Sequence, residues 1–598
     1  MKIRTVTYFV ALDSSDFDGE DTSLCTASSK LSDAVKALDL AEEKLCELGY
    51  ELQTKRVTFN SFEHWLNVEG EGLDVKDVDQ TSGNGLVLQR LDALLQEHGI
   101  NFCSLGEARS DAGIRMTPAL LHFSKRFNTS VCIDSGTTGN STVWERRVCP
   151  NQQTCLLAAE AAREVHRLEG DSGNFRFTVS FDCDGRTPFF PASFFCPESA
   201  AAEARKCKES ARGGKTMDGG SADAEAYAFN YAARPPNGNG AVVLSPSSLS
   251  ASRAQDLRSF RGLAVGLESG DLLFLSCFGA DSCEEARDNL YSTLVQTLGP
   301  INKCMLEVCS ALNSHPGGGG EEVTQAADSE ALQLEWLGVD ASINPGLSPV
   351  DSVAAGLEAI LFLDTGGMGP PRGEGEGGKD THGGTPDKAA REVASMMAPS
   401  KTRDAAGGFD VKFGQFGTLA AVSAVTGAVK ALRASRQVQQ EAADSSPKTH
   451  AFGSLTEAYM PSSNTVEIDE SAADLRLCGY CGLMLPVMED VVLAGRAAGT
   501  SLDSEGSSVD AASGSFTLRD LLTFSSVCGV GLDTVPVPGD VTTSQLAAVY
   551  TETGALAYRL GKPLSCRVLP MRGLQAGEMT RIAPEDNPYL TNTRVFSL

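Results

Sequence analysis

Long apolar runs are missing from this 598-residue chain. No stretch reaches the roughly eighteen consecutive apolar residues that a membrane-spanning helix needs, so no such span is expected. Positive charge is also scarce. Fifty Lys and Arg face seventy-eight Asp and Glu, a formal net charge of −28, so phosphate backbones and anionic membranes are repelled on average and nucleic-acid binding is not expected. The seven histidines, His64, His98, His122, His166, His315, His382 and His450, form no H-x-x-x-H or H-x-H pair, which argues against a zinc site built on histidine. No G-x-S-x-G elbow occurs. Cys478 and Cys481 make a C-x-x-C without the second pair that a four-thiolate site requires, so buried structural cysteines are the favoured reading. The seventeen cysteines are odd in number and spread from Cys25 to Cys566, which fits free thiols in a cytoplasmic protein. Met1 leads directly into the β-branched run Lys2 to Val10, read as a first strand and not as a leader.

Two short matches fail on context. Gly373, Gly375 and Gly378 satisfy G-x-G-x-x-G, but no strand precedes them and no helix follows. Gly214-Lys215-Thr216 imitates the end of a phosphate loop, yet Glu209 stands where the first glycine belongs.

What remains is an ordinary apolar content of 41% arranged in alternating periods. Leu31, Ala34, Val35, Leu38, Ala41, Leu45 and Leu48 recur at helical spacing and stop at Gly49. Strands are expected near 2–10, 50–59, 100–105, 130–134, 174–182, 262–267, 272–277, 336–343 and 564–569. Helices are expected near 86–98, 117–127, 150–167, 283–312 (interrupted at Pro300), 350–363, 417–433 and 544–560. Such alternation implies one continuous α/β unit with parallel strands. Five segments, 198–223, 315–321, 365–410, 437–447 and 500–514, are too polar or glycine-rich to bury much apolar surface and read as surface insertions in a single domain.

Four strings run an apolar strand into carboxylates, where α/β folds place their chemistry: Gly266 to Asp271, Gly338 to Ser342, Leu485 to Asp490 and Cys528 to Asp540. Their candidates are Glu268, Asp340, Glu489, Asp490, Asp533 and Asp540, with Ser342 and Cys528 as accompanying nucleophile or hydrogen-bonding groups. Asp533, Asp540 and Cys528 are the catalytic candidates, Asp340 and Ser342 the substrate-binding ones, and Glu268, Glu489 and Asp490 the metal ligands, since carboxylate oxygens suit Mg²⁺ or Ca²⁺. The commoner fate of such acids is to cap helices or sit solvated in turns.

These strings resemble the uncharacterised family called domain of unknown function 711, which has G-L-E-S-x-D, G-x-D-x-S, C-G-Y-x-G-L-M-L-P-V-x-E-D and V-C-x-x-G-L-D-x-V-P-x-P-G-D strings in the same order. The likeness extends to Ile3 to Thr7, Phe175 to Phe177, Thr187 to Ala192, Phe416 to Ala420 and Lys562 to Ser565. It implies a ten-stranded α/β barrel of the pyruvate formate-lyase type, with two parallel five-stranded halves, and a small ACT-domain protein as regulatory partner. Arg476-Leu477-Cys478-Gly479-Tyr480 imitates a glycyl-radical string, with Cys528 as its cysteine, but stands more than a hundred residues from the chain's end. An enzyme acting on a small polar metabolite at a carboxylate-lined barrel mouth is the leading expectation. The alternatives are a non-catalytic regulatory or scaffold protein and, behind it, a radical enzyme. Self-association is left open.

Overall fold

The computed structural model describes residues 2–18, 25–68, 83–134, 149–183, 186–195, 260–277, 280–314, 333–364, 412–444, 475–499, 516–528 and 530–598. Nine strands form one mixed sheet: β1 (Lys2–Val10), β2 (Leu52–Phe59), β3 (Cys103–Ala108), β4 (Phe127–Ile133), β5 (Phe177–Phe181), β6 (Arg261–Glu268), β7 (Leu334–Asp340), β8 (Gly531–Pro538) and β9 (Leu564–Met571), ordered 7-6-1-2-3-4-5-9-8. β1 to β5 run parallel. β6 joins β1 and β9 joins β5 antiparallel, while β7 is parallel to β6 and β8 to β9.

The eleven helices among the described residues are α1 (Thr26–Glu47), α2 (Gly83–Glu97), α3 (Asp111–Phe123), α4 (Gln152–Glu169), α5 (Asp271–Cys277), α6 (Cys283–Ser314), α7 (Val353–Asp364), α8 (Thr418–Asp444), α9 (Val491–Ala498), α10 (Leu518–Phe524) and α11 (Thr543–Leu560). Their ends follow local chemistry. The Ser110 hydroxyl accepts from Gly113 N at the start of α3, Thr542 and Gln545 form a reciprocal box before α11, and Gly561 ends α11 in the left-handed conformation. The main core lies where apolar helix stripes such as Leu31, Leu38 and Leu45 meet strand residues such as Val6, Val57, Val131, Val179 and Leu532.

The opposite face of the sheet is covered by the chain's own irregular segments. Phe189, Phe194, Tyr480 and Met484 pack with Cys132 and Cys183; Phe195 and Cys478 pack on Phe9 and Ala264; and Met488, Ile582, Leu590 and Val595 cover Leu569 and Met571. One segment touches both edge strands. Val339 N donates to Arg476 O (2.9 Å) and Met484 N to Ile343 O (3.0 Å) at the β7 side, and Val487 N donates to Asp533 O (3.0 Å) at the β8 side. These contacts are isolated bridges, so the ladder is nine-stranded and not closed by a continuous tenth strand.

The expected strands at 2–10, 50–59, 100–105, 130–134, 174–182, 262–267, 336–343 and 564–569 all overlap strands of this single sheet. Three readings are corrected. Residues 272–277 form helix α5, because a short apolar run fits a buried helix as well as a strand. α6 continues through Pro300 without a break. Residues 437–444, read as insertion, extend α8, whose Gln, Glu and Ala residues are good helix formers. The segments 198–223, 315–321, 365–410, 445–447 and 500–514 lie outside the described residues.

Candidate functional site

Two of the strings singled out in the sequence meet. Asp340, fully buried at the end of β7, accepts five hydrogen bonds: Thr187 Oγ1 (2.7 Å) and Tyr480 N (3.0 Å) at Oδ2, and Ser342 N (3.1 Å), Ser342 Oγ (2.6 Å) and Cys481 N (3.0 Å) at Oδ1. Ser342 Oγ in turn accepts Gly482 N (3.1 Å). Gly479 has a φ of +66°, and a methyl group there would stand 2.0 Å from Asp340 Oδ2, so glycine is required by both conformation and space. Cys478 and Cys481 are buried in the same knot with their thiols against backbone carbonyls, Gly338 O and Cys478 O respectively. Asp490 is also a fastener. Its carboxylate caps α9 through Val492 N and Leu493 N and takes Ser352 Oγ and Ala354 N at the start of α7. Burial pushes its carboxyl up, opposed by those amides.

Three other carboxylates converge with arginines on the inner face of the sheet. Glu489 bridges two of them, accepting Arg567 Nη2 at 2.5 Å and Arg4 Nη2 at 2.6 Å. Arg567 Nε reaches Asp533 Oδ1 (2.6 Å) and its Nη1 reaches Phe175 O (3.2 Å). Glu268 lies 3.6 Å from Arg4 Nη1 and 3.7 Å from Lys2 Nζ, and accepts Gln53 Nε2 at 2.9 Å. Burial pushes the Asp533 carboxyl up, with Arg567 pulling the other way.

Beside them stands Arg56 of β2, 8% exposed. Its guanidinium carbon lies 5.4 Å from the Phe102 ring and 5.1 Å from the Phe190 ring. Among the described residues its one hydrogen bond runs from Nε to Thr54 Oγ1 (3.0 Å), and no carboxylate pairs with it. Burial lowers its pKa to about 9, and the charges of Arg4 and Arg567 act in the same direction. Tyr589 completes an aromatic wall, stacked on Phe175 at 6.2 Å and edge-on to Phe102 at 6.4 Å.

The remaining candidates stand apart. Asp540 is exposed beyond the far end of β8 and accepts Gln575 Nε2 at 3.1 Å. Cys528 is buried after α10, and its carbonyl accepts Lys562 Nζ at 2.5 Å. Burial lowers the Lys562 amine to about 8, helped by Lys430 and opposed by Cys528. Below pH 8 the amine is protonated in both folded and unfolded states. Between about 8 and its ordinary 10.5 the folded state sheds the proton first, so stability should rise with pH across that window. Lys562→Met should abolish that rise and add about 2 kcal/mol at pH 7, read from denaturant melts at pH 7, 9 and 10. An unchanged pH slope would contradict this.

Among the described residues no group of three or more His, Cys, Asp or Glu is arranged to hold a metal ion. A surface cleft of about 660 Å³ lies elsewhere, between α4 and the turn after β8, lined by Arg163, His166, Arg167 and Arg572 among others. It is open to solvent, and Arg167 there is already paired with Glu164, so the enclosed cluster is the stronger site. Arg4, Arg56 and Arg567 were not singled out from the sequence. Their signal is an arginine within a strand, and only Arg567, in Leu564–Met571, is the lone charged residue of its strand.

The family model described as "Uncharacterised ACR (DUF711)" matches residues 1–203 and 464–583. The chain belongs to the DUF711 family. Thr187 and residues 478–482 of the knot, and Arg4, Arg56, Glu489, Asp533 and Arg567 of the cluster, lie within the matched residues, whereas Asp340, Ser342 and Glu268 lie outside them. Similar curated proteins include several called UPF0210 protein. One from Pyrobaculum arsenaticum is 36% identical over 100 residues, covering 17% of this chain and 19% of the relative. One from Leuconostoc mesenteroides is 30% identical over 144 residues (24% and 28%), and one from Methanopyrus kandleri 33% over 108 residues (18% and 21%). The aligned stretches thus span between 19% and 28% of these relatives' lengths. Among the described residues of this DUF711 member, no helix is long and apolar enough to cross a membrane.

Proposed function

We propose that this DUF711 protein binds a small anionic metabolite between Arg4, Arg56 and Arg567. The observation that carries the reading is Arg56, a buried guanidinium held between two aromatic rings without a carboxylate partner among the described residues. Burying an unpaired charge is costly, and a planar fork suits a carboxylate or phosphate that would complete it. Glu268, Glu489 and Asp533 then orient Arg4 and Arg567 around the ligand.

In this reading residues 477–487 serve as a tenth strand between β7 and β8. That gives two parallel halves, β1 to β5 and β6, β7, the added strand, β8 and β9, the ten-stranded barrel that the family resemblance implied. The bridges at Val339, Ile343 and Asp533, all parallel, support it. The Asp340 knot fastens the added strand through Tyr480 N and Cys481 N.

The test is Arg56→Met, which keeps the bulk and removes the charge. Wild-type protein should gain melting temperature with acetate or inorganic phosphate beyond the gain with chloride at equal ionic strength. Arg56→Met should melt higher than wild type without ligand and show no anion-specific gain. A wild type indifferent to both anions, or a variant that still responds, would sink the reading. An enzyme would consume the bound acid, whereas a regulatory protein working with an ACT-domain partner would bind it without turnover. Prolonged incubation followed by product analysis separates the two.

A further inference from the structure

The inner face of β3, β4 and β5 carries a row of polar side chains that neither the Asp340 knot nor the arginine cluster uses. The strand register sets Glu107 beside Ser130, and Ser130 beside Thr178. On the other side of β5, Val179 pairs with Cys566, so one further step brings Thr178 next to Arg567. The alternation agrees: Phe177, Val179, Val131, Cys566 and Val568 pack toward the helices, which turns Thr178, Ser130 and Arg567 to the inner face.

Glu107 is 2% exposed, Ser130 0% and Thr178 2%. Among the described residues Glu107 Oε2, Ser130 Oγ and Thr178 Oγ1 each lack a hydrogen-bond partner. Native interiors seldom leave such atoms bare, and three on one face ask for an occupant that both donates and accepts.

We propose that this row receives the hydroxyl groups of the anion held by Arg56 and Arg567, so that the ligand is a small hydroxylated carboxylate. The inference rests on the anion-binding reading above and narrows it. The chemistry of the row favours hydroxyls over a second charge. Ser130 and Thr178 offer neutral groups that donate and accept, and the Glu107 carboxyl is already shared with Arg109, whose Nε donates to Oε1 at 3.0 Å. Burial raises Glu107 to about 7, so near neutrality it can either donate to a hydroxyl or accept from one. A ligand amine would find no uncommitted carboxylate in the row. A hydroxyl finds three complementary atoms.

Calorimetric titration with propionate, lactate and glycerate tests this, because each step adds one hydroxyl to the same three-carbon acid. Wild-type protein should bind with about tenfold higher affinity for each hydroxyl gained. Ser130→Ala combined with Thr178→Val should bring lactate and glycerate down to the affinity of propionate while leaving propionate unchanged, and that unchanged value certifies an intact arginine site. Glu107→Gln should lower the glycerate preference in part. Equal wild-type affinity for the three acids would overturn the inference, leave the anion reading standing and assign the row to water. Failure of all three to bind would remove the anion reading, and this inference with it.

Discussion

Asp340→Asn should unfold the protein at markedly lower temperature, with a loss of about 3 kcal/mol or more. Every partner of this carboxylate is a donor: two hydroxyls and three backbone amides. Asparagine keeps the size and one acceptor oxygen but presents an NH₂ group to donors on its other side. If the amide nitrogen replaces Oδ2, Thr187 Oγ1 and Tyr480 N lose their acceptor; if it replaces Oδ1, Ser342 N and Cys481 N lose theirs. Either way buried amides are left bare in a site too tight to admit water, as the 2.0 Å clearance at Gly479 indicates. Gly479→Ala should be as damaging, through both the clash and the positive φ. The damage should be local at first, freeing residues 477–487 from β7 before the main sheet melts. Hydrogen exchange at Cys478 N, Tyr480 N and Cys481 N reads this directly. A variant with wild-type melting temperature and protected amides would show that Asp340 is a ligand-facing group and not a fastener.

The division of labour among the acids explains why the fold was more legible in the sequence than the site. Helix and strand positions depend on local periodicity, so α4, α11, β1 and β6 could be read within a residue or two, and α1 at its C-terminal end. α5 could not, because seven residues of Asp271–Cys277 contain no more than two helical turns and no decisive period. The acidic strings stand out in the sequence, but the contacts their acids make depend on partners 78 to 485 residues away. Asp340 meets Tyr480 and Cys481, Asp490 meets Ser352, and Glu489 meets Arg4 and Arg567. Nothing local to Leu-Pro-Val-Met-Glu-Asp distinguishes Glu489, which joins two guanidiniums, from Asp490, which caps two helices. Only the tertiary arrangement, in which Arg4 of β1 and Arg567 of β9 both reach the segment after Pro486, separates them.

Glu489→Ala should be the most damaging change within the arginine cluster, costing about 3–5 kcal/mol at neutral pH. Its carboxylate is nearly buried, and each oxygen is taken by a different guanidinium: Oε1 by Arg567 and Oε2 by Arg4. Removing it leaves Arg4 with Glu268 at 3.6 Å and Arg567 with Asp533, while Arg56 has no carboxylate partner among the described residues, so a local balance of three arginines and three carboxylates becomes an excess of one positive charge. It also opens a space of about the size of the lost carboxylate. Acetate should therefore bind the variant and recover a substantial part of the melting temperature, and chloride at the same ionic strength should recover much less, because it cannot span two guanidiniums bidentately. Glu489→Gln should fall between wild type and Glu489→Ala and respond weakly to acetate, since the amide still fills the space. If Glu489→Ala melts like wild type, the two short contacts contribute nothing net and the cluster is not held by this bridge. If it melts low and acetate does not help, the arginines do not accept a carboxylate from solution, and the case for an anion beside Arg56 weakens with them.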